Sequence, residues 1–380
     1  MKRLLPAIIG LCLTTISCNE VKREPAALEA LDYLIISEDP ANETSKKDFP
    51  MEITLDSLEC VPLDFITTNR EIDILYKNGY IIIKSLEKVS GEKLVSVVNA
   101  ADNTLTAQLA TVGTGPDEFT DIRLLPSYEE DALCYIISLS NYKLYRLTDS
   151  MTLDFVTTLP EPKNVKNFRP RLDKPEMIDS MTLIIGQSGK EGYGLCSYNL
   201  HDSTIKGLLA FDFTRDLDSW YLVYDGPLIY NQKQNKIAYA FSWYDRFLIY
   251  DLTNDSITSC QSGKIEPMNV KTRTEFFETG ENNLYYNSGF SNDDYIFLIY
   301  LGDKVYAHDR NETRHHYLEQ YTWDGEPVCR YRLPAGMVYQ NGSAGANPDE
   351  IYIVNKSQDD FLYKIKLHDH TSTDSKPELI

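Results

Sequence analysis

Six short apolar runs recur along the chain at nearly even spacing, and that period constrains the fold more than any other feature of the sequence. The runs are Gly79–Ser85 (GYIIIKS), Ala132–Leu139 (ALCYIISL), Met181–Gln187 (MTLIIGQ), Asn235–Trp243 (NKIAYAFSW), Asp293–Leu301 (DDYIFLIYL) and Asp349–Lys356 (DEIYIVNK). With Ile81, Tyr135, Ile184, Ala238, Phe297 and Tyr352 as centres, the steps are 54, 49, 54, 59 and 55 residues. Each run is β-branched and aromatic and is bounded by Gly, Asn or Asp, as suits a buried strand. A sustained period of this length marks a repeat architecture, one supersecondary unit per repeat.

Each unit has the same internal order. After the apolar run comes another strand that ends at a turn bearing Asp102, Asp149, Asp202, Asn254, Asp324 or Asp369. Asp and Asn suit such turns because their side chains satisfy nearby backbone N–H groups. Trp323-Asp324-Gly325 is the sharpest case and reads as a hairpin between Tyr317–Thr322 and Val328–Leu333. A further strand follows five of the turns: Thr104–Val112, Thr152–Leu159, Thr204–Phe211, Ser256–Cys260 and Val328–Leu333. Weaker strands such as Glu71–Tyr76, Ile122–Leu125 and Leu228–Tyr230 precede the runs. The expectation is an all-β, six-bladed β-propeller over residues 51–370, with about four strands per blade. The last unit lacks an outer strand, and Glu52–Leu63 (EITLDSLECVPL) has no partner, so pairing the two closes the ring. Barrel and doubly wound α/β folds need amphipathic helices between strands, and none of useful length is found. Two stacked sandwiches compete, but six near-equal steps argue against them.

The N-terminus reads as a processing signal. Lys2 and Arg3 form a positive n-region, and Leu4–Ile16 is an apolar run too short to span a bilayer. Thr15-Ile16-Ser17-Cys18 resembles a bacterial lipobox, with Thr15 where that pattern prefers leucine. The expectation is a signal peptide over 1–17 and lipidation of Cys18; an ordinary signal peptide with an incidental cysteine is the alternative. Residues 18–50 read as a flexible tether, in which Ala26–Ile36 can form a short helix, and 371–380 as a polar tail.

Composition narrows the partners. Hydrophobic residues are 42% and charged residues 25%, which excludes disorder of the whole chain. There are 37 basic and 57 acidic residues, a net charge of −20, or −22 without Lys2 and Arg3. Such a body repels phosphate backbones, which disfavours nucleic acid, and meets a membrane only through a lipid anchor. Cys60, Cys134, Cys196, Cys260 and Cys329 show no zinc spacing; they read as single thiols in strands, although an oxidising compartment would allow one bridge.

Several segments are similar to the six-bladed NHL- and TolB-like propeller lipoproteins of Gram-negative bacteria. Gly113-Thr114-Gly115-Pro116-Asp117-Glu118-Phe119 resembles their GxGPxEF turn. Gln320–Val328 resembles their DG-bearing blade hairpin, and Leu58–Leu63 their opening strand. The resemblance covers about residues 50–370. It implies a cell-envelope lipoprotein of unassigned biochemical role and brings no catalytic residues. It makes Gly113 and Gly115 sites of tight backbone angles and Phe119 a core residue.

Candidate chemistry is sparse. Propellers bind ligands at a mouth of the central channel, and Ser242–Arg246 reads as a loop on such a face. Trp220, Trp243 and Tyr244 can form an aromatic platform for a sugar ring or peptide, with Arg246 donating and Asp245 accepting hydrogen bonds; packing between blades is the alternative. Arg169 and Arg171 flank Pro170 near an inner strand, where one of them would attract an anion in the channel. His315 and His316, beside Asp309, Arg310 and Glu312, are weak candidates for a divalent metal against a plain solvated loop. No cofactor is expected, and no GxSxG, HExxH or P-loop is present. The leading expectation is a non-catalytic, lipid-anchored envelope protein whose propeller binds a protein, peptide or glycan. The alternatives are a metal-assisted hydrolase or lyase at the channel mouth, and an assembly factor of an outer-membrane complex.

Overall fold

The computed structural model describes residues 31–37, 43–45, 48–63, 72–85, 89–115, 117–163, 165, 171–189, 192–212, 221–261, 282–304, 314–356 and 362–367. They form a six-bladed β-propeller. Among them the sole helical element is a 3-10 turn, Tyr221–Tyr224. From the inside out, blade 1 is Asp73–Lys77, Tyr80–Lys84, Lys93–Asn99 and Thr104–Thr111. Blade 2 is Ile122–Pro126, Ala132–Ser138, Lys143–Thr148 and Leu153–Thr158. Blade 3 is Arg171–Asp179, Thr182–Gly189, Gly192–Asn199 and Thr204–Asp212. Blade 4 is Leu228–Asn231, Lys236–Ala240, Arg246–Asp251 and Ser256–Gln261. Blade 5 is Asn283–Ser291, Tyr295–Lys304, Tyr317–Thr322 and Pro327–Arg332. Blade 6 is Tyr339–Ala344, Glu350–Asn355 and Leu362–Lys366, completed from the N-terminus.

The alternation of strand side chains explains why each apolar run is buried on both faces. In blade 1, Ile81 and Ile83 pack with Tyr352 and Val354 of blade 6, while Ile82 packs with Leu133 and Ile136 of blade 2. Successive side chains point to opposite faces, so one run serves two neighbours. The same division recurs around the ring, with one apolar cluster at each of the six blade junctions. Cys134, Cys196, Cys260 and Cys329 are buried and Cys60 is exposed, and no disulfide joins them.

The N-terminal segment departs from expectation. Glu52–Leu63 does not serve blade 6 alone. Glu52–Thr54 runs parallel to Arg330–Arg332 on blade 5, and only Glu59–Cys60 pairs antiparallel with Tyr363 and Lys364 to complete blade 6. The stretch read as a tether is partly sheet. Leu34–Ser37 pairs parallel with Leu209–Asp212 on blade 3, and Glu43–Ser45 with Ser259 and Cys260 on blade 4. Leu34–Ser37 is therefore strand, not the end of a helix; residues 1–30, with the signal peptide and Cys18, lie outside the described residues, as does the tail. Steps of nine residues, Leu34 to Glu43 to Glu52, carry this strap from one blade to the next. An open outer edge offers unpaired N–H and C=O groups, and the strap covers that edge on three blades before closing the fourth. Gly207 makes room for it: a Cβ there would lie 2.3 Å from the carbonyl oxygen of Asp32.

The turn glycines also need correction. Neither Gly113 nor Gly115 has a positive φ. They provide space instead: the Gly115 amide donates to Glu118 Oε2 at 2.7 Å, and a Cβ on Gly113 would lie 2.0 Å from that oxygen. Phe119 is buried in the junction of blades 1 and 2, as expected.

Candidate functional site

The innermost strands of the six blades neighbour one another in a closed ring and enclose a central channel. Its volume is about 990 Å³. Along three adjacent inner strands the channel is lined by Asp73 of blade 1, Arg123 of blade 2, and Lys174 and Glu176 of blade 3; Lys77, Lys233, Asp293 and Asp294 line it at strand ends and turns. The inner strands opposite carry uncharged polar groups, Asn287 and Ser288 of blade 5 and Asn341 and Ser343 of blade 6.

Hydrogen bonds between blades hold that polar wall. Asn287 Nδ2 donates to Tyr339 O at 2.8 Å, Ser288 Oγ to Asn341 Oδ1 at 3.2 Å, and the Tyr76 amide to Ser343 Oγ at 2.9 Å. Asn341 Nδ2 reaches back to the carbonyl of Ile72. A lumen stitched by side chains of successive blades is held in one shape, which is what a preformed binding site requires.

The charged wall is less evenly satisfied. Lys84 Nζ lies 3.1 Å and Arg123 Nη1 3.4 Å from the same Asp121 Oδ1. Lys174 Nζ stands 3.9 Å from Asp225. Asp73 Oδ1 accepts the Ile74 amide at 3.0 Å. Glu176 Oε2 is shielded from solvent and has no hydrogen-bond partner. Burial raises the Asp73 pKa, against the pull of the Lys84, Arg123 and Lys174 charges. Burial raises that of Glu176 well above the usual carboxylate range, and the charge of Asp73 adds to it. Tyr128, whose hydroxyl donates to Tyr230 O at 2.9 Å, is likewise raised by burial and then by Glu176. In low dielectric a carboxylate without a partner is held as the neutral acid.

The loop residues expected at a mouth are placed differently. Tyr244 is buried in the junction of blades 3 and 4, and Trp243 packs half-buried against that cluster. Packing against Tyr224 and Phe241 removes Tyr244 from any open platform. Arg246 is buried and bonds Ser259 and Ser37. Asp245 is half-buried, and its charge is felt by Tyr286 and Tyr300 of blade 5. Arg171 places its guanidinium 5.6 Å from the Tyr193 ring and is not among the residues lining the channel. Trp220 and Arg169 lie outside the described residues. His315 Nδ1 donates to Leu333 O at 2.9 Å, and buried His316 accepts the Tyr339 amide at Nδ1, 3.3 Å. These backbone bonds turn one nitrogen of each ring inward. Among the described residues no group of three or more His, Cys, Asp and Glu could hold a metal ion.

Asp73 and Glu176 were not among the expected site residues. The available signal is a single acid in an inner strand, Asp73 at the start of one and Glu176 within another, and only the ring brings two such acids to one lumen.

No family model matches the chain. No curated protein sequence matches it. Solved structures do. A member of the DUF4221 family from Bacteroides vulgatus superposes with a TM-score of 0.58 at 12% identity, over 82% of this chain and 96% of that one. A protein described as exported, from Bacteroides fragilis, gives 0.49 at 11% identity over 80% and 87%. Regucalcin, a calcium-binding protein from Agrobacterium tumefaciens, gives 0.46 at 12% identity over 84% and 96%. At such identity the first of these speaks to the fold alone. The class defined by fold and site is thus a six-bladed β-propeller with a polar, charge-bearing central channel.

Proposed function

We propose that this protein is an exported lipoprotein of the cell envelope, anchored through Cys18, whose propeller is a non-catalytic binding module. Its ligand is a peptide or glycan, or the end of an envelope protein, received in the central channel. The observation that supports this best is the channel itself: about 990 Å³, walled by hydrogen-bonding groups that the ring of blades holds in place. Export rests on Lys2-Arg3, the apolar run and Ser17-Cys18. The acidic body leaves the lipid as its contact with a membrane.

Two measurements test the reading. An array of envelope peptides and glycans is screened with the parent and with Ser291→Trp, which places an indole in the lumen. Binding that the indole abolishes supports the channel; an unchanged profile moves the site elsewhere. Cys18→Ala should lose incorporation of labelled fatty acid, and label retained in that variant would remove Cys18 as the anchor.

A further inference from the structure

The charges around the channel do not pair off. Asp121 takes both Lys84 and Arg123, and Asp225 faces Lys174. Asp73 and Glu176 form no ion pair among the described residues. In this set four carboxylates stand against three cations, and the two left over, Asp73 and Glu176, line the lumen; Lys233 lies beside Asp293 and Asp294 at the turns, and Lys77 ends the strand that Asp73 begins.

We propose that Asp73 and Glu176 together receive a primary ammonium group, so that the channel's ligand is an amine, from a peptide N-terminus or from an amino sugar. This deepens the reading of the channel as the binding site and rests on it. Among the described residues Glu176 Oε2 lies inside the protein with no donor, and Asp73 is bonded by its neighbour's backbone amide. What these oxygens lack is a compact donor carrying positive charge. An ammonium offers three N–H groups and no acceptor. It suits two carboxylates arriving from different blades better than a guanidinium, whose planar fork favours two oxygens of one carboxylate. Of the protein's own cations, Lys84 and Arg123 are drawn to Asp121, Lys174 to Asp225 and Lys233 to Asp293 and Asp294, while Lys77 stands at the far end of the strand that Asp73 begins. Asn287 also lines the lumen and spends its Nδ2 on Tyr339 O.

Proton balance gives the proposal a second signature. In the empty channel burial favours the protonated acids, although Lys84, Arg123 and Lys174 oppose this at Asp73 and the Tyr128 hydroxyl borders Glu176. A docked ammonium favours the ionised pair, so the acid O–H proton leaves to solvent as the ligand enters. Binding therefore tightens as the pH rises toward 7, below the α-amino pKa of about 7.7–8.0, where the amine keeps its charge.

The experiment is calorimetric titration of the full-length chain with alanyl-alanine and with D-glucosamine, each beside its N-acetylated form. The free amine of at least one source binds, its acetylated form binds at least about tenfold more weakly, and heats in two buffers of different ionisation enthalpy report proton release. Preference between the two amines identifies the source. Glu176→Gln and Asp73→Asn each weaken the amine by about tenfold to a hundredfold while melting cooperatively. If Ser291→Trp abolishes binding but Glu176→Gln does not, the channel stands and the ammonium assignment falls. If neither change matters, the channel reading falls as well. Equal binding of amine and amide, or no binding of either amine at millimolar concentration, overturns the proposal.

Discussion

Arg246 Nη1 donates a 2.9 Å hydrogen bond to the carbonyl oxygen of Ser37, a residue 209 positions earlier in the chain. Arg246 opens the third strand of blade 4, and Ser37 closes the strap's strand on blade 3. The same guanidinium donates through Nε to Ser259 Oγ at 2.9 Å, on the outer strand of blade 4. One buried side chain thus fastens the strap where it passes from one blade to the next.

Arg246→Met keeps most of the volume and removes both bonds. Each bond has a charged donor, and the Ser37 carbonyl loses its side-chain donor as well. The expected loss is about 2–3 kcal/mol of unfolding free energy. Arg246→Lys should recover only part of it, because an ammonium lacks the fork that reaches Ser37 and Ser259 together. Urea unfolding of the three proteins checks this, and a methionine variant as stable as the parent would show the buckle to be idle.

The strap makes two truncations unequal. Removing residues 31–47 uncovers the outer edges of blades 3 and 4, each of which keeps its own four strands. That protein should melt cooperatively at a lower temperature. Deleting Met51–Leu63 takes the strand from blade 5 and also Glu59–Cys60, without which blade 6 has three strands and an open edge. Loss of a single cooperative transition, with aggregation, is expected there. Calorimetry on both variants decides it, and two identical melts would contradict ring closure at blade 6.

Two glycines, both close to another atom, should respond differently. A Cβ on Gly207 would meet the Asp32 backbone carbonyl at 2.3 Å. One on Gly113 would meet the Glu118 carboxylate at 2.0 Å, the far end of a side chain that can swing away. Gly207→Ala must lift the strap and should cost about 1–3 kcal/mol. Gly113→Ala mainly disturbs the bond from the Gly115 amide to Glu118, worth about 1 kcal/mol. Chemical denaturation that ranks them the other way would argue against a packed strap.

Much of the ring is legible because it is local. All six apolar runs fall on the second strands of the blades, and strand alternation alone explains why Ile81, Ile82 and Ile83 are all buried. The Asx turns are local too: Asp102 accepts both the amide and the hydroxyl of Thr104, and Asp202 does the same for Thr204. Trp323-Asp324-Gly325 turns as the sequence suggests, with φ of +87° at Gly325 and Trp323 buried. The strap is not local. Leu34–Ser37 becomes a strand because blade 3 offers an edge, and nothing near residue 34 reports that edge. The same holds for the channel, where Asp73 and Glu176 meet only after the chain has gone through two blades. Tyr244 and Arg246 show the converse: their residue types suit a binding face, but the blade junction and the strap use them.

Glu176 should also reveal itself through stability. Its folded pKa is raised, by burial first and by Asp73 second, while in the unfolded chain it titrates near the ordinary value of 4.5. Between those two values the folded protein carries a proton that the unfolded chain has released. Stability therefore falls as pH rises through that window, and above it the full cost of the unpartnered charge is present. Glutamine is neutral throughout, so Glu176→Gln should match the parent below about pH 4.5 and gain on it as pH rises, reaching an advantage on the order of 1–3 kcal/mol near pH 8. The conjugate change Asp73→Asn should act in the same direction but less, because Lys84, Arg123 and Lys174 already favour the Asp73 charge. Melting temperatures from pH 4 to pH 8 measure both. A group that destabilises its own fold fits one kept for a ligand. Should Glu176→Gln instead lower the melting temperature at pH 8, Glu176 is an ionised, paired residue of the scaffold, and its place in the channel is structural.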